Sequence, residues 1–261
     1  MCKFILDKLF KKSVENNVSE NLTKNTDTNI QAENKDINEK IENNDTIMKN
    51  VIVCLDNGHG EETPGKRSPW SAKRVPPELP FREYAYCREL VQHIKQILVK
   101  EGFEVFIVTP ELNDIGLSAR ANRVNNIVNE AKKIGKHVLM ISVHNNAAGN
   151  GAEWKKAYGW SAWTTIGQTN SDKLAQCLYE AAKEILPKYN MKIRTDKSDR
   201  DDDFESNFTV IYKSNCPAVL TENMFQDCVD EVKWMLTDEG KRALAYIHVN
   251  GIKKFVELMN W

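Results

Sequence analysis

No run of apolar residues in this 261-residue chain approaches the roughly twenty that a membrane-spanning helix needs. The six cysteines, Cys2, Cys54, Cys87, Cys177, Cys216 and Cys228, form none of the close pairs of a zinc ribbon or thioredoxin-like motif. Cys54, Cys87 and Cys177 fall inside apolar patterns and are expected to be buried, reduced thiols. An excess of either charge is also missing. Eight of the 36 basic and nine of the 37 acidic residues lie in the first fifty, so the remainder balances at 28 of each and gives no electrostatic ground for nucleic-acid binding. Between Ser13 and Thr46 there is no aromatic residue, glycine, proline or cysteine. That stretch has too little apolar surface to offset chain entropy. Residues 1–48 are therefore expected to be a disordered polar linker, and residues 49–261 the folded domain. Residues 1–12 are basic and amphipathic, but their apolar run is too short for a signal-peptide core and no small-residue cleavage site follows, so no export signal is expected. They could form a weak membrane-binding or partner-binding helix, or a frayed tail.

The folded part, in a chain that is 41% hydrophobic with six Trp, can bury a substantial core. It begins with Val51-Ile52-Val53-Cys54-Leu55-Asp56-Asn57-Gly58-His59-Gly60, an apolar run suited to a strand buried on both faces, ending in a glycine-flanked histidine. The glycines allow a sharp turn and place His59 at the carboxyl edge of a sheet, where open α/β sheets bind ligands. A loop over residues 61–80 follows, carrying Pro64-Gly65, Arg67 and Trp70. From Phe81 to Lys100 the residues Cys87, Leu90, Val91, Ile94, Ile97 and Leu98 recur at helical spacing. Projected backwards, this stripe takes in Glu83 but not Glu89. A carboxylate on an apolar face must be neutral, paired or bound to a cation, unless it merely complements the helix dipole from the first turn.

A second strand is expected at 103–108, a helix capped by Ser118 and running to Gly135, and a strand at 137–143 that delivers His144 to a glycine-rich loop. Trp160 or Trp163, whichever faces inward, is expected in the core. An amphipathic helix then closes at Pro187. The charged stretch 188–206, with Asp199-Arg200-Asp201-Asp202-Asp203, reads as a solvated loop. Phe208-Thr209-Val210-Ile211-Tyr212 reads as a strand, Pro217-Ala218-Val219-Leu220-Thr221 as another presenting Glu222 at its exit, and 238–258 as a closing helix. Strands alternating with helices predict an α/β fold: a mostly parallel twisted sheet of about six strands flanked by helices. His59 and His144 would then share its carboxyl edge.

Two histidines and a glutamate are a donor set suited to catalytic zinc, which uses three protein ligands and one open position. A further carboxylate must then carry the proton, and Glu222 is the candidate. The spacing alone is weak, because no compact HExxH-type signature fixes these residues. In these motifs, namely Gly58-His59-Gly60 with Pro64-Gly65, the Glu83 helix, residues 117–122 with Arg120, Ser142-Val143-His144-Asn145-Asn146-Ala147, and Pro217-Ala218-Val219-Leu220-Thr221-Glu222, the chain resembles the zinc-dependent N-acetylmuramoyl-L-alanine amidases of the Amidase_3 family over roughly 50–258.

The resemblance implies one Zn2+ per chain on His59, Glu83 and His144, Glu222 as catalytic acid/base, and cleavage between N-acetylmuramic acid and L-alanine in peptidoglycan. Asn146, Arg67 and Trp70 are assigned to substrate binding. Two departures stand out: Thr109-Pro110 where the family usually has Thr-Arg, and Asn223-Met224-Phe225-Gln226-Asp227 for the usual Gly-Phe-Leu-Ser-Asn, which predicts an altered substrate-side wall. Without an export signal, a phage endolysin made in the cytoplasm and acting on the wall after release fits first, and a host wall enzyme second. The rival readings are a zinc peptidase cutting within the stem peptide and a non-catalytic wall-binding module on the same fold. The module would be expected to lose one of the four groups, and none is lost.

Overall fold

A computed structural model of the chain describes residues 50–69 and 81–261. The expected linker and amphipathic segment over residues 1–48, and the substrate candidate Trp70, lie outside the described residues. Val51–Asn57 (β1) is buried along its whole length, as its unbroken apolar run requires. Glu83–Lys100 (α1) leads to Glu104–Ile107 (β2), and Leu117–Lys133 (α2) to His137–Asn146 (β3). Ser161–Thr164 (β4), Asn170–Ile185 (α3) with a 3-10 turn over Leu186–Tyr189, Phe204–Glu205 (β5), Thr209–Tyr212 (α4), Ala218–Phe225 (β6), Val229–Met235 (α5) and Asp238–Met259 (α6) complete the order. The sheet runs β2-β1-β3-β6-β4-β5. All pairings are parallel except β4 with β6.

The two-residue period of the strands divides the core into two faces. Val51, Val53, Leu55, Leu139, Ile141 and Val143 meet α1, α3 and α6. Ile52, Cys54, Val138, Met140, Ala218 and Leu220 meet Val124, Val128 and Ala131 of α2 and Val210 and Ile211 of α4. Each fully buried aliphatic side chain contributes about 1.5–3 kcal/mol, which is why both faces need helices. α3 and α6 approach so closely that a Cβ on Gly251 would lie 2.6 Å from Leu178 Cδ2 and 2.8 Å from its Cα. Trp160 is fully buried, and Cys54, Cys87 and Cys177 are free, buried thiols. No helix among the described residues is long and apolar enough to cross a membrane.

Three local expectations are corrected. Residues 209–212 form one helical turn rather than a strand: Val210 and Ile211 are adjacent and both buried in the same cluster, which a strand with alternating faces would not allow. α2 begins at Leu117 with Gly116 as its cap, and the Ser118 hydroxyl instead accepts a hydrogen bond from Lys213 Nζ at 3.0 Å. β6 continues to Phe225, because its pairing with β3 resumes at Asn146 after a register shift, so Glu222 lies within the strand and not at its exit.

The charged stretch before β5 is not simply a solvated loop, since Asp202 and Asp203 are 2% and 1% exposed. Lys183 and Lys197 pair with Asp202, and the Thr164 hydroxyl donates to Asp203 Oδ2 at 2.6 Å. Burial, with Asp201 and Asp172 nearby, pushes the Asp203 carboxyl up to about 8.

Candidate active site

β1 and β3 run parallel with Asn57 opposite Val143, so the residues that follow, Gly58-His59 and His144, emerge side by side. Gly58 is what permits this. A Cβ there would lie 2.4 Å from His144 Cε1 and 2.5 Å from its Nδ1, well inside van der Waals contact with the ring. His59 itself adopts φ +65°, a left-handed conformation that costs about 1–2 kcal/mol in a residue with a Cβ. Arg88 of α1 holds that turn by donating from Nη1 to the His59 carbonyl at 3.1 Å and from Nη2 to the Glu111 carbonyl at 2.6 Å.

Glu83, the first residue of α1, is fully buried beneath the two rings. Its Oε1 accepts the Asn145 backbone N–H at 3.0 Å, and lies 3.2 Å from His59 Nε2 and 3.3 Å from His144 Nδ1. The rings stand 4.9 Å apart at 88°. One donor atom from each of the three residues falls within 4.8 Å of the others. Two of the site's atoms, Glu83 Oε2 and His59 Nε2, are buried without a hydrogen-bond partner. Such a concentration of unsatisfied lone pairs suits a cation.

Glu222 sits opposite His144 in the β3–β6 register and opposite Ser161 on β4. Its Oε2 is also buried and unpartnered. Burial pushes its carboxyl up to about 7, with His144 opposing and Glu83 adding to the rise. Burial also works against charge on Glu83, but the His144 and His59 imidazoles beside it outweigh that and hold the carboxyl well below its usual range. For His59 burial prevails and lowers the imidazole; for His144 burial is outweighed by Glu83 and the imidazole is raised. Two carboxylates in one pocket are thus driven apart, one ionised and one poised near neutrality.

Of the substrate candidates, Asn146 and Arg67 lie within the described residues. The Asn146 side-chain oxygen accepts its neighbour Ala147 N–H at 2.8 Å, and its backbone carbonyl accepts Gln226 N–H at 2.8 Å. Arg67 forms an isolated bridge with Arg82. Residues 223–227, which depart from the family's usual sequence, are all buried. Asn223 Nδ2 donates to the His144 carbonyl at 3.1 Å, and the Asn223 side-chain oxygen accepts Trp160 Nε1–H at 3.0 Å. Asp227 accepts the Ala148 and Gly149 N–H groups at 2.9 and 2.8 Å.

Sequence reasoning missed Asn145 and Asn223, which brace the site, and the network behind it. In that network Arg120 donates to Asp56 Oδ1 at 3.0 Å, to the Asn57 carbonyl at 2.8 Å and to Asp114 at 2.9 Å. An aspartate inside an otherwise apolar strand, Asp56, was the available signal. Another histidine, His248, lies away from the centre: its Nδ1–H donates to the Leu244 carbonyl at 2.7 Å, which leaves Nε2 to accept the Thr221 hydroxyl at 2.9 Å.

An α/β sheet that brings two histidines and a buried glutamate to one edge, with a second carboxylate on the adjoining strand, has the layout of a metal-dependent hydrolase. Residues 53–254 match the family model for N-acetylmuramoyl-L-alanine amidase, and the chain belongs to that family. It is 29% identical over 211 residues to the endolysin of Bacillus phage SPP1, a match covering 79% of this chain and 66% of that protein. It is 24% identical over 211 residues to the sporulation-specific N-acetylmuramoyl-L-alanine amidase of Bacillus subtilis strain 168, covering 80% and 69%. The chain thus spans about two thirds of the curated relatives' length. Among solved structures, the N-acetylmuramoyl-L-alanine amidase from Clostridium difficile 630 superposes with a TM-score of 0.65 at 23% identity, covering 80% of this chain and 98% of that one.

Proposed function

We propose that this chain is a peptidoglycan hydrolase that cleaves the amide between N-acetylmuramic acid and L-alanine, and that it acts on the cell wall in lysis. The observation that carries the reading is the meeting of His59, Glu83 and His144 with Glu222 alongside. Family membership and similarity to a phage endolysin support it.

In this reading His59, His144 and Glu83 would hold one zinc ion per chain. Bound there, zinc lowers the pKa of water and polarises an acyl oxygen. The chain's own groups do the rest. Asn145 N–H anchors Glu83 through Oε1 and leaves Oε2 without a hydrogen-bond partner. Glu222, with its carboxyl near 7, takes a proton from the attacking water and returns it to the leaving nitrogen. A glycosidic bond would instead require a pair of carboxylates flanking an acetal carbon.

Digestion of purified walls should therefore release free amino groups with L-alanine at the new N-terminus and no reducing sugar ends. Reducing ends would point to a glycosidase, and a different N-terminus to a stem-peptide peptidase. Gly58→Ala supplies a separate check on the zinc site. Its Cβ would clash with the His144 ring at 2.4 Å and force it to shift, so the purified variant should hold well under one zinc per chain by metal analysis. A full complement would show that the ring can move aside without consequence.

A further inference from the structure

A second convergence of oxygen ligands lies between the 3-10 turn and β5. Asp199, Asp201 and Asp203 alternate along the loop, and each leaves Oδ1 buried without a hydrogen-bond partner. Donor atoms of Asp172, Asp201 and Asp203 all lie within 4.8 Å of one another. Gln168 Nε2 ties Asp199 to Asp201, donating to their Oδ2 atoms at 3.1 and 2.7 Å. The Thr164 hydroxyl lies between Asp203 Oδ2, at 2.6 Å, and Asp172 Oδ1, at 3.3 Å. Asp202, between the last two of the three, turns to Lys183 and Lys197 instead.

Outside the His59–Glu83–His144 centre and its neighbour Glu222, other buried carboxylates among the described residues are treated differently. Asp56 has Arg120, Glu231 accepts the N–H groups of Gly159 and Phe225 at 2.7 Å each, and Asp227 accepts two further N–H groups. Among the described residues, no cationic side chain pairs with Asp172, Asp199, Asp201 or Asp203. Like charges this close cannot all remain ionised unless a cation or protons intervene. Asp203, at 1% exposure, cannot turn to water for relief.

We propose that Asp172, Asp199, Asp201 and Asp203 form a calcium-class divalent-cation site, distinct from the His59–Glu83–His144 centre, that pins this loop to β4 and to the start of α3. The ligands are all hard oxygens, with neither nitrogen nor sulfur, which favours Ca2+ over Zn2+. Their irregular arrangement, with room for mono- or bidentate carboxylates, favours Ca2+ over the strict octahedron of Mg2+. Rotation of the Gln168 amide would exchange its nitrogen for a further oxygen ligand. A surface cavity of about 640 Å³, lined by Gln168, Asp172 and Asp201 among others, supplies an entry path and space for water ligands. The α3 N-terminus weakly opposes a cation, but Asp172 Oδ2 already accepts Thr169 N–H there and shields it.

The test uses the full chain, freed of alkaline-earth ions on a chelating resin and reloaded with stoichiometric zinc. Calorimetric titration with CaCl2 should show one saturable site. Thermal unfolding should shift upward by a few degrees as the site fills, with MgCl2 giving less and zinc content unchanged. The double variant Asp201→Asn/Asp203→Asn should lose both binding and the calcium-dependent shift. Without calcium it should melt no lower than the parent, because the repulsion is gone. If that variant fails to fold, Asp199→Asn, which is partly exposed, should still weaken calcium binding at least tenfold with unchanged circular dichroism. Absence of saturable binding up to about 10 mM, tenfold beyond the weakest extracellular sites, would overturn the proposal. So would a calcium shift that survives these substitutions. Neither readout uses a wall substrate, so the outcome is independent of the amidase reading.

Discussion

Glu222→Gln is expected to keep one zinc per chain and to lower kcat on wall fragments by about 10²–10⁴, the usual contribution of a positioned acid/base. The amide keeps the shape of the carboxyl and cannot accept the proton. His144→Ala, in contrast, should lose the zinc as well as the activity, so metal analysis beside kinetics separates holding the ion from moving the proton. The folding cost of Glu222→Gln should be small, because burial already disfavours the charged form. In zinc-free protein the raised carboxyl makes wild-type stability fall as pH rises from the ordinary glutamate value of 4.5 through about 7. Glutamine removes that loss, so the variant should gain on wild type across this window and lose the advantage below it. Retention of more than a few per cent of wild-type turnover would reject the acid/base role.

How far the sequence could be read depended on whether the signal was local. The unbroken β1 run and the helical stripe from Glu83 to Leu98 are signals carried within a few residues, and both elements form where those signals place them. The burial of Glu83 followed from one helical turn of extrapolation to Cys87. The shared edge of His59 and His144 followed from parallel strands, because equal direction puts equivalent ends together.

What failed was long-range. Asp202 and Asp203 are buried where Lys183 and Thr164 arrive from elsewhere in the chain to join Lys197 of the same stretch. The short apolar stretch around Val210 and Ile211 has no period long enough to distinguish a strand from a helical turn, and packing on α2 decides it. Asn223 read as a departure in a substrate wall, whereas its partners, the His144 carbonyl and Trp160, are visible only once β3, β4 and β6 are side by side.

Arg120→Ala should destabilise the fold by about 3–5 kcal/mol, the usual effect of breaking a buried pair by removing one partner. Exposed pairs offer no comparable effect. Lys133–Glu130, with side chains 66% and 70% exposed, is of a kind worth about 0–1 kcal/mol. Arg120 is 1% exposed and serves several acceptors at once: Asp56, the Asn57 and Ile115 carbonyls and Asp114. Its removal strands Asp56, whose remaining partners are the hydroxyls of Ser142 and Thr109 at 2.7 and 3.2 Å. Asp56→Asn/Arg120→Met should recover part of the loss, since no charge is then buried alone. The damage should also reach the proposed zinc centre, because the Asn57 carbonyl that Arg120 holds immediately precedes the Gly58-His59 turn. Equilibrium denaturation of the two variants, with zinc affinity measured on each, would test both parts. A single-variant loss below about 1 kcal/mol would mean that water replaces Arg120 freely and that the network does not position His59.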